Sequence, residues 1–359
     1  MTEVVAGAEG VRAEDAFDVE RVASWLRDHG APDADLVGIP EVRQFVGGAS
    51  NLTYLLRYAG RDLVLRRPPP GTKAKGAHDM RREHDIQAAL APLVTVVPRM
   101  VAYCDDESVI GSEFYVMERV EGTILRRDLP PDLVGDRQRV EQLCCNAVDV
   151  LVALHEVDVE ASGLGRLDRG DGYVRRQVEG WSGRYRRART DDVPDFGATI
   201  AWLDTHQPDD HPHVLIHNDF RFDNLVLAED DPTRVVGVLD WEMATVGDPL
   251  MDLACALAYW VQADDPPAFL AMRRQPTHAP GMLTRSQVVE RYASARRLEV
   301  TPGQWRFYDV FGAFRLAAIA QQIYYRFHRG ETSNPAYGEF REVVRFLDHR
   351  CAALLGATS

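Results

Sequence analysis

No run of apolar residues in this chain is long enough to span a bilayer. The longest, near residues 253–261, falls well short of the roughly 20 that a membrane helix needs. The acidic N-terminus lacks a basic segment followed by an apolar one, so no signal peptide is expected. Cys-x-x-Cys does not occur. Five cysteines, an odd number, argue for reduced thiols and a cytoplasmic location rather than a disulfide framework. Positive charge is in deficit: 41 Lys and Arg stand against 55 Asp and Glu, and the net charge of -14 disfavours nucleic acid and anionic membranes as partners. The sequence Gly-x-x-x-x-Gly-Lys-Ser/Thr is also missing, which removes the P-loop nucleotide hydrolases. Neither internal repeats nor low-complexity tracts are found. What remains is 359 residues, 45% hydrophobic and 27% charged, an ordinary globular composition with room for two lobes.

The octet His217-Asn218-Asp219-Phe220-Arg221-Phe222-Asp223-Asn224 fits H-x-D-x-x-x-x-N. That is the spacing of a kinase catalytic loop, in which the Asp takes the proton of an acceptor hydroxyl and the Asn binds Mg2+. Two β-rich runs follow, Leu225-Val226-Leu227 and Val235-Val236-Gly237-Val238-Leu239, around the turn formers Asp230-Asp231-Pro232-Thr233. They predict an antiparallel hairpin. Asn224 opens its first strand and Asp240 follows its second, so the hairpin is expected to bring both together as oxygen ligands for a hard cation. Taken singly, Asp240 reads as a turn former, Asn224 as an Asx turn, and His217 as a packing residue with no second metal ligand at suitable spacing. The joint arrangement points to phosphoryl transfer with Asp219 as base.

Upstream, residues 45–56 predict a strand, a glycine turn and a second strand. Gly47 and Gly48 would let backbone N–H groups approach phosphate, with Ser50, Asn51 and Thr53 as further donors. An ordinary hairpin turn has the same appearance. In the next strand Val64 and Arg66 share a face, an apolar contact for a base and a cation for phosphates. Residues 79–90 then carry Met80, Glu83, Ile86, Gln87 and Leu90 along one helical stripe. A carboxylate on that stripe needs a cationic partner, for which Arg66 is the obvious candidate; the alternative is that Glu83 reaches solvent from the stripe's edge. Residues 114–122 read as a strand running into a connection between lobes, with Met117 and the backbone around Glu118 and Val120 available to adenine.

In this order the motifs resemble those of the aminoglycoside phosphotransferase and choline kinase-like group, whose fold is similar to that of protein kinases. The likeness runs from about Gln44 to Val261. The stretches Val64-Leu65-Arg66-Arg67-Pro68-Pro69-Pro70-Gly71 and His217-Asn218-Asp219-Phe220-Arg221 look most like the kinase-like domain fused to some acyl-CoA dehydrogenases, and its stand-alone bacterial relatives. The resemblance implies an α+β, bilobal protein kinase-like fold. A small β-rich N-lobe with a leading helix would cover residues 1–118, and a larger, mostly helical C-lobe residues 119–359. It also implies ATP and Mg2+ as cofactors, Asp219 as catalytic base, Asn224 and Asp240 as Mg2+ ligands, and Glu83 as helix partner of the phosphate-binding cation. That cation is Arg66 here, where the group normally has lysine. Arginine keeps the charge and binds phosphate bidentately, but it is bulkier. Lys73 and Lys75 in the following loop either supply a second cation or are simply solvated loop charges. Arg221 either helps neutralise the transferring phosphate or forms an ion pair that stabilises the loop.

Asp248 suits an N-cap and Pro249 the first position of the helix that follows. Asp252 can hold the catalytic loop by hydrogen bonds or serve the helix alone. The few residues between Asp240 and this helix leave little room for the long activation segment of a protein kinase, and no Ala-Pro-Glu follows; a small-molecule hydroxyl is favoured over a protein as the acceptor. Other helices are expected at Val19–His29 and at 140–156, 173–189, 196–205, 285–295, 304–327 and 335–355. Residues 166–189 hold eight arginines, with Val174, Val178, Trp181 and Tyr185 on an apolar stripe. These arginines form a solvated face, or some of them bind an anionic acceptor such as a hydroxyacyl-CoA. An aminoglycoside or amino-alcohol kinase is the alternative. A catalytically silent nucleotide-binding scaffold, suggested by Arg66, is the alternative of another class.

Overall fold

Alternation of side chains builds the N-terminal sheet. A computed structural model describes residues 7–31, 36–45, 51–69, 79–332 and 334–356. Its first six strands are β1 (Ala8–Glu9), β2 (Glu41–Phe45), β3 (Leu52–Tyr58), β4 (Arg61–Arg67), β5 (Met100–Cys104) and β6 (Phe114–Glu118). They form one sheet in the order β1-β2-β3-β4-β6-β5, each neighbouring pair antiparallel. The period of two sends successive side chains to opposite faces. On one face Tyr54, Leu56, Leu63, Leu65 and Val116 pack with Val22 and Leu26 of helix α1 (Val19–His29). On the other, Val64, Tyr115 and Met117 pack with Met80 of helix α2 (Met80–Leu90). Each helix starts on an aspartate cap: Asp18 accepts from Arg21 N, and Asp79 from Arg82 N.

The chain divides into two units, Met1–Glu121 with Val236–Glu242, and Gly122–Val235 with Met243–Ser359. Within the first, Val238 N–H donates to Val96 O at 2.7 Å, and the fully buried Trp241 returns its indole N–H to Val238 O at 2.8 Å. These bonds fix the stretch that carries Asp240.

The second unit is mostly helical. Its helices are α3 (Arg137–His155), α4 (Tyr173–Ala188), α5 (Gly197–Thr205), α6 (Pro249–Ala258), α7 (Pro267–Ala271), α8 (Arg285–Arg296), α9 (Pro302–His328) and α10 (Phe340–Gly356). Helix α9 packs against α10, α6 and α4. It approaches α6 so closely that a Cβ on Gly312 would stand 2.5 Å from Ala254 O. The remaining strands are β7 (Thr123–Ile124), β8 (Val214–Ile216), β9 (Leu225–Leu227), β10 (Val235–Val238) and β11 (Thr245–Gly247), in sheets ordered β10-β9-β7 and β11-β8. Strands β1, β5, β7 and β11 and the short α7 were not expected from the sequence. β11 pairs antiparallel with β8, the strand that leads into residues 217–224. Among the described residues no helix is long and apolar enough to cross a membrane, and all five cysteines are free.

Candidate active site

Sheet register sets the polar cluster of the first unit. Arg66 stands opposite Tyr115 across β4 and β6, so both side chains leave the sheet on the face covered by α2. There Arg66 Nη1 donates to Glu83 Oε1 at 2.6 Å, and the Tyr115 hydroxyl donates to the same oxygen at 2.7 Å. Arg66 Nη2 also reaches Asp240 Oδ1 at 3.4 Å. Burial pushes the Glu83 carboxyl above the usual range, against the pull of Arg66 and the Tyr115 hydrogen bond. Burial likewise disfavours charge on Arg66, but Tyr115, Glu83 and Asp240 outweigh it and hold the guanidinium charged. Asp240 adopts the left-handed φ of 68° and keeps its side chain about a third exposed (34%).

Other candidate nucleotide contacts distribute as follows. Gly47, Gly48 and Ser50 lie outside the described residues, as do Lys73 and Lys75. Thr53 pairs with Arg66 across β3 and β4, and Asn51 is buried beside the start of β3. Val64 and Met117 are cross-strand partners, buried together under Met80. Glu118 directs Oε1 to Arg61 and Arg99, at 2.6 and 2.8 Å, and its N–H donates to Arg99 O. Arg119 N–H donates to Asp62 O, while among the described residues no hydrogen bond involves the Val120 N–H.

In the second unit, residues 217–224 form a loop closed on itself. Asn224 Nδ2 donates to Asp219 O at 2.8 Å and to Asp219 Oδ2 at 3.0 Å, which leaves the amide oxygen Oδ1 to face elsewhere. Arg221 Nη2 lies 3.1 Å from Asp219 Oδ2, its Nε lies 3.3 Å from Asp223 Oδ1, and its guanidinium covers the Tyr259 ring at 4.6 Å. Burial pushes the Asp223 carboxyl up, opposed by Arg221 and reinforced by Asp219. The Asn224 amide oxygen in this unit, and the partly exposed Asp240 carboxylate in the first, are each hard donors of the kind a divalent cation takes.

The loop hangs from α6. Asp252 accepts the N–H groups of His217 and Asn218, at 2.8 and 2.7 Å. Its Oδ2 also accepts from His155 Nε2 at 3.0 Å, and His155 Nδ1 meets the Tyr292 hydroxyl at 2.5 Å. Burial alone would raise the Asp252 carboxyl, but the His155 hydrogen bond and the charges and amide around it hold it below the usual range. Asn218 sits at the left-handed φ of 63°, its carbonyl accepts from Arg315 Nη2 at 2.9 Å, and its Nδ2 donates to Met243 O. Gln275 Oε1 accepts the Phe222 N–H at 2.7 Å. Asp248, as expected, caps α6 through Leu250 N and Met251 N.

Tyr115, His155, Gln275, Tyr292 and Arg315 were not singled out from the sequence. Tyr115 needs the β4–β6 register to be found, and the others reach the loop from distant helices or segments without any local pattern. The arginine-rich segment separates into distinct uses. Arg166 and Arg176 bond nearby backbone carbonyls, whereas Arg184 lies 4.5 Å from the Trp181 ring.

The profile of the phosphotransferase enzyme family matches residues 41–285. Acyl-CoA dehydrogenase family member 10 from Mus musculus is 37% identical over 299 residues, which is 83% of this chain and 27% of that protein. The chain spans less than half the length of the curated relatives it matches. A candidate aminoglycoside phosphotransferase from Ralstonia eutropha JMP134 superimposes with a TM-score of 0.80 and 31% identity, covering 94% of this chain and 98% of that one. A thermostable mutant of an aminoglycoside phosphotransferase, solved with AMP-PNP and hygromycin B, shares the fold at a TM-score of 0.55 and 16% identity, over 89% of this chain and 95% of that one. The architecture is the α+β protein kinase-like fold, β-rich at the N-terminus and helical at the C-terminus.

Proposed function

Because the chain belongs to the phosphotransferase enzyme family, we propose that it is an ATP- and Mg2+-dependent kinase that moves the γ-phosphate to a hydroxyl of a small molecule. The observation that carries this reading is the closed loop in which Asn224 grips Asp219 through its amide nitrogen. Asp219 keeps a carboxylate for an acceptor hydroxyl, while Asn224 keeps its oxygen for a cation. Asp219 orients the hydroxyl and takes its proton as the hydroxyl oxygen bonds to phosphorus and the bond to the ADP oxygen breaks. Bound through Asn224 and Asp240, Mg2+ would supply charge neutralisation on the phosphates. Arg66, fixed by Glu83, is the phosphate-binding cation, and Arg221 keeps Asp219 in place through their ion pair. The AMP-PNP complex of a structural neighbour supports an adenine nucleotide as donor.

For the acceptor, the acyl-CoA dehydrogenase names of the curated relatives support a hydroxyacyl-CoA. The test is transfer of labelled γ-phosphate from ATP to a panel of hydroxyacyl-CoAs, amino sugars, aminoglycosides and choline. The expected result is a labelled hydroxyacyl-CoA product that requires Mg2+. Labelled aminoglycoside or choline instead would overturn the acceptor, and no transfer with no ATP binding would overturn the kinase.

A further inference from the structure

A buried cation ordinarily has a carboxylate partner, because its lost hydration is otherwise uncompensated. Arg315 of α9 departs from that rule. It is only 4% exposed, donates Nη2 to the Asn218 carbonyl, and lies 5.0 Å from the Trp181 ring centroid. No carboxylate lies within ion-pairing distance of it among the described residues, although Asp219 is near enough to favour its charge. Trp181 carries a second guanidinium, that of Arg184. Arg184 and Arg187 fold back along α4 toward Gly180 and Gly183, each with Nη1 near the place a Cβ would take, at 3.5 and 3.1 Å. Neither has an acidic partner among the described residues, in a chain where Asp and Glu outnumber Lys and Arg by 55 to 41. Burial first, and then the charges of Arg187 and Arg315, make the Arg184 proton easier to lose than usual. Arg184 thus lies in the field of both Arg187 and Arg315, and it shares the Trp181 ring with Arg315, which alone of the three reaches the catalytic loop. An anion relieves that repulsion, and the planar guanidinium fork suits its oxygens.

We infer that Arg184 and Arg187, together with Arg315 and the Trp181 indole, form an oxyanion subsite for a phosphate or carboxylate carried by the acceptor. Only the word acceptor rests on the kinase reading; the anion site follows from the arginines. Arg315 ties the subsite to the loop, since the carbonyl it holds belongs to the residue before Asp219. An acceptor gripped by its acidic end is thereby kept beside Asp219, and a polycationic acceptor is repelled.

The full chain is titrated with inorganic phosphate and, separately, with sodium chloride at matched ionic strength, and the unfolding temperature is followed. Phosphate is expected to raise Tm of the wild type beyond the effect of chloride. The double variant Arg184→Gln/Arg187→Gln loses that increment, while Arg186→Gln, on the same helix and exposed as Arg184 and Arg187 are, retains it. No phosphate-specific rise in the wild type, or an equal rise in the double variant, overturns the subsite. In parallel, labelled transfer from ATP is compared for glycerol 3-phosphate against glycerol, and for a hydroxy acid against its amide, which separates phosphate from carboxylate. The acid-bearing member of at least one pair should have the higher kcat/KM, and the double variant should raise its KM by about tenfold, the worth of roughly one charge-assisted hydrogen bond. Preference for both uncharged members overturns the proposal. A phosphate response with neither transfer to any acceptor nor binding of ATP sinks the kinase reading and leaves the anion site standing.

Discussion

Arg66 Nη1 meets Glu83 Oε1 at 2.6 Å, a strand-to-helix ion pair buried beneath the hydroxyl of Tyr115. Charge on either partner depends on the other, because both have lost most of their water. Removing one is therefore costlier than the contact alone suggests. Glu83→Gln should lower the unfolding free energy by about 3 kcal/mol, as expected for a buried guanidinium left with only its 3.4 Å contact to Asp240. Urea denaturation measures it, and a loss under about 1 kcal/mol would make the pair structurally incidental. Arg66→Lys keeps the charge but loses the fork that spans Glu83 and Asp240, so ATP affinity by calorimetry should fall by about tenfold.

Asp219→Ala should reduce kcat by about 10²–10⁴-fold, the usual contribution of a positioned base, with ATP binding largely kept. Normal turnover by this variant rejects Asp219 as the base.

Asp240→Ala tests the cation. Because Arg66 keeps Glu83 as a partner, the fold should survive, while the gain in ATP affinity on adding Mg2+ should disappear. An unchanged Mg2+ dependence in calorimetry excludes Asp240 as a ligand.

Asp252 supplies a pH signature. Its folded carboxyl lies below the ordinary value, so its stabilisation is present above the unfolded pKa of about 3.9 and is lost as pH falls through the folded value. Asp252→Asn replaces one acceptor oxygen with a donor that faces an N–H or imidazole, and should cost about 3 kcal/mol or more at neutral pH. The variant's stability should also fall less steeply than that of the wild type on acidification below about pH 4. Parallel pH profiles for the two proteins would contradict the assignment.

Gly312→Ala forces a methyl against Ala254 O, at 2.5 Å in the present geometry. We expect a loss of about 1–3 kcal/mol as α9 and α6 separate, read by thermal unfolding. A neutral result would mean that the two helices accommodate the methyl.

Much of this architecture was legible in the sequence because its signals are local. The cap at Asp248 with Pro249, the stripe Met80–Glu83–Gln87–Leu90 and the span Val19–His29 each depend on neighbours within a few turns, and the structure has them as read. Partnership of Glu83 with Arg66 followed from the same stripe, since a carboxylate on an inward face needs a cation. What stayed hidden depends on pairing at a distance. Tyr115 joins Glu83 only through the register of β4 and β6, and Arg315 reaches Asn218 from a helix 97 residues further along the chain. The arginines of α4 looked alike as letters; their differences come from Trp181 and from backbone carbonyls near the start of the helix.

The hydrogen-bonded series Tyr292–His155–Asp252, which ends on the amides of His217 and Asn218, makes three helices joint custodians of one loop. Substitutions at these three positions should therefore covary among homologues, and a chain that retains the octet but has lost His155 or Tyr292 should be suspected of having given up transfer.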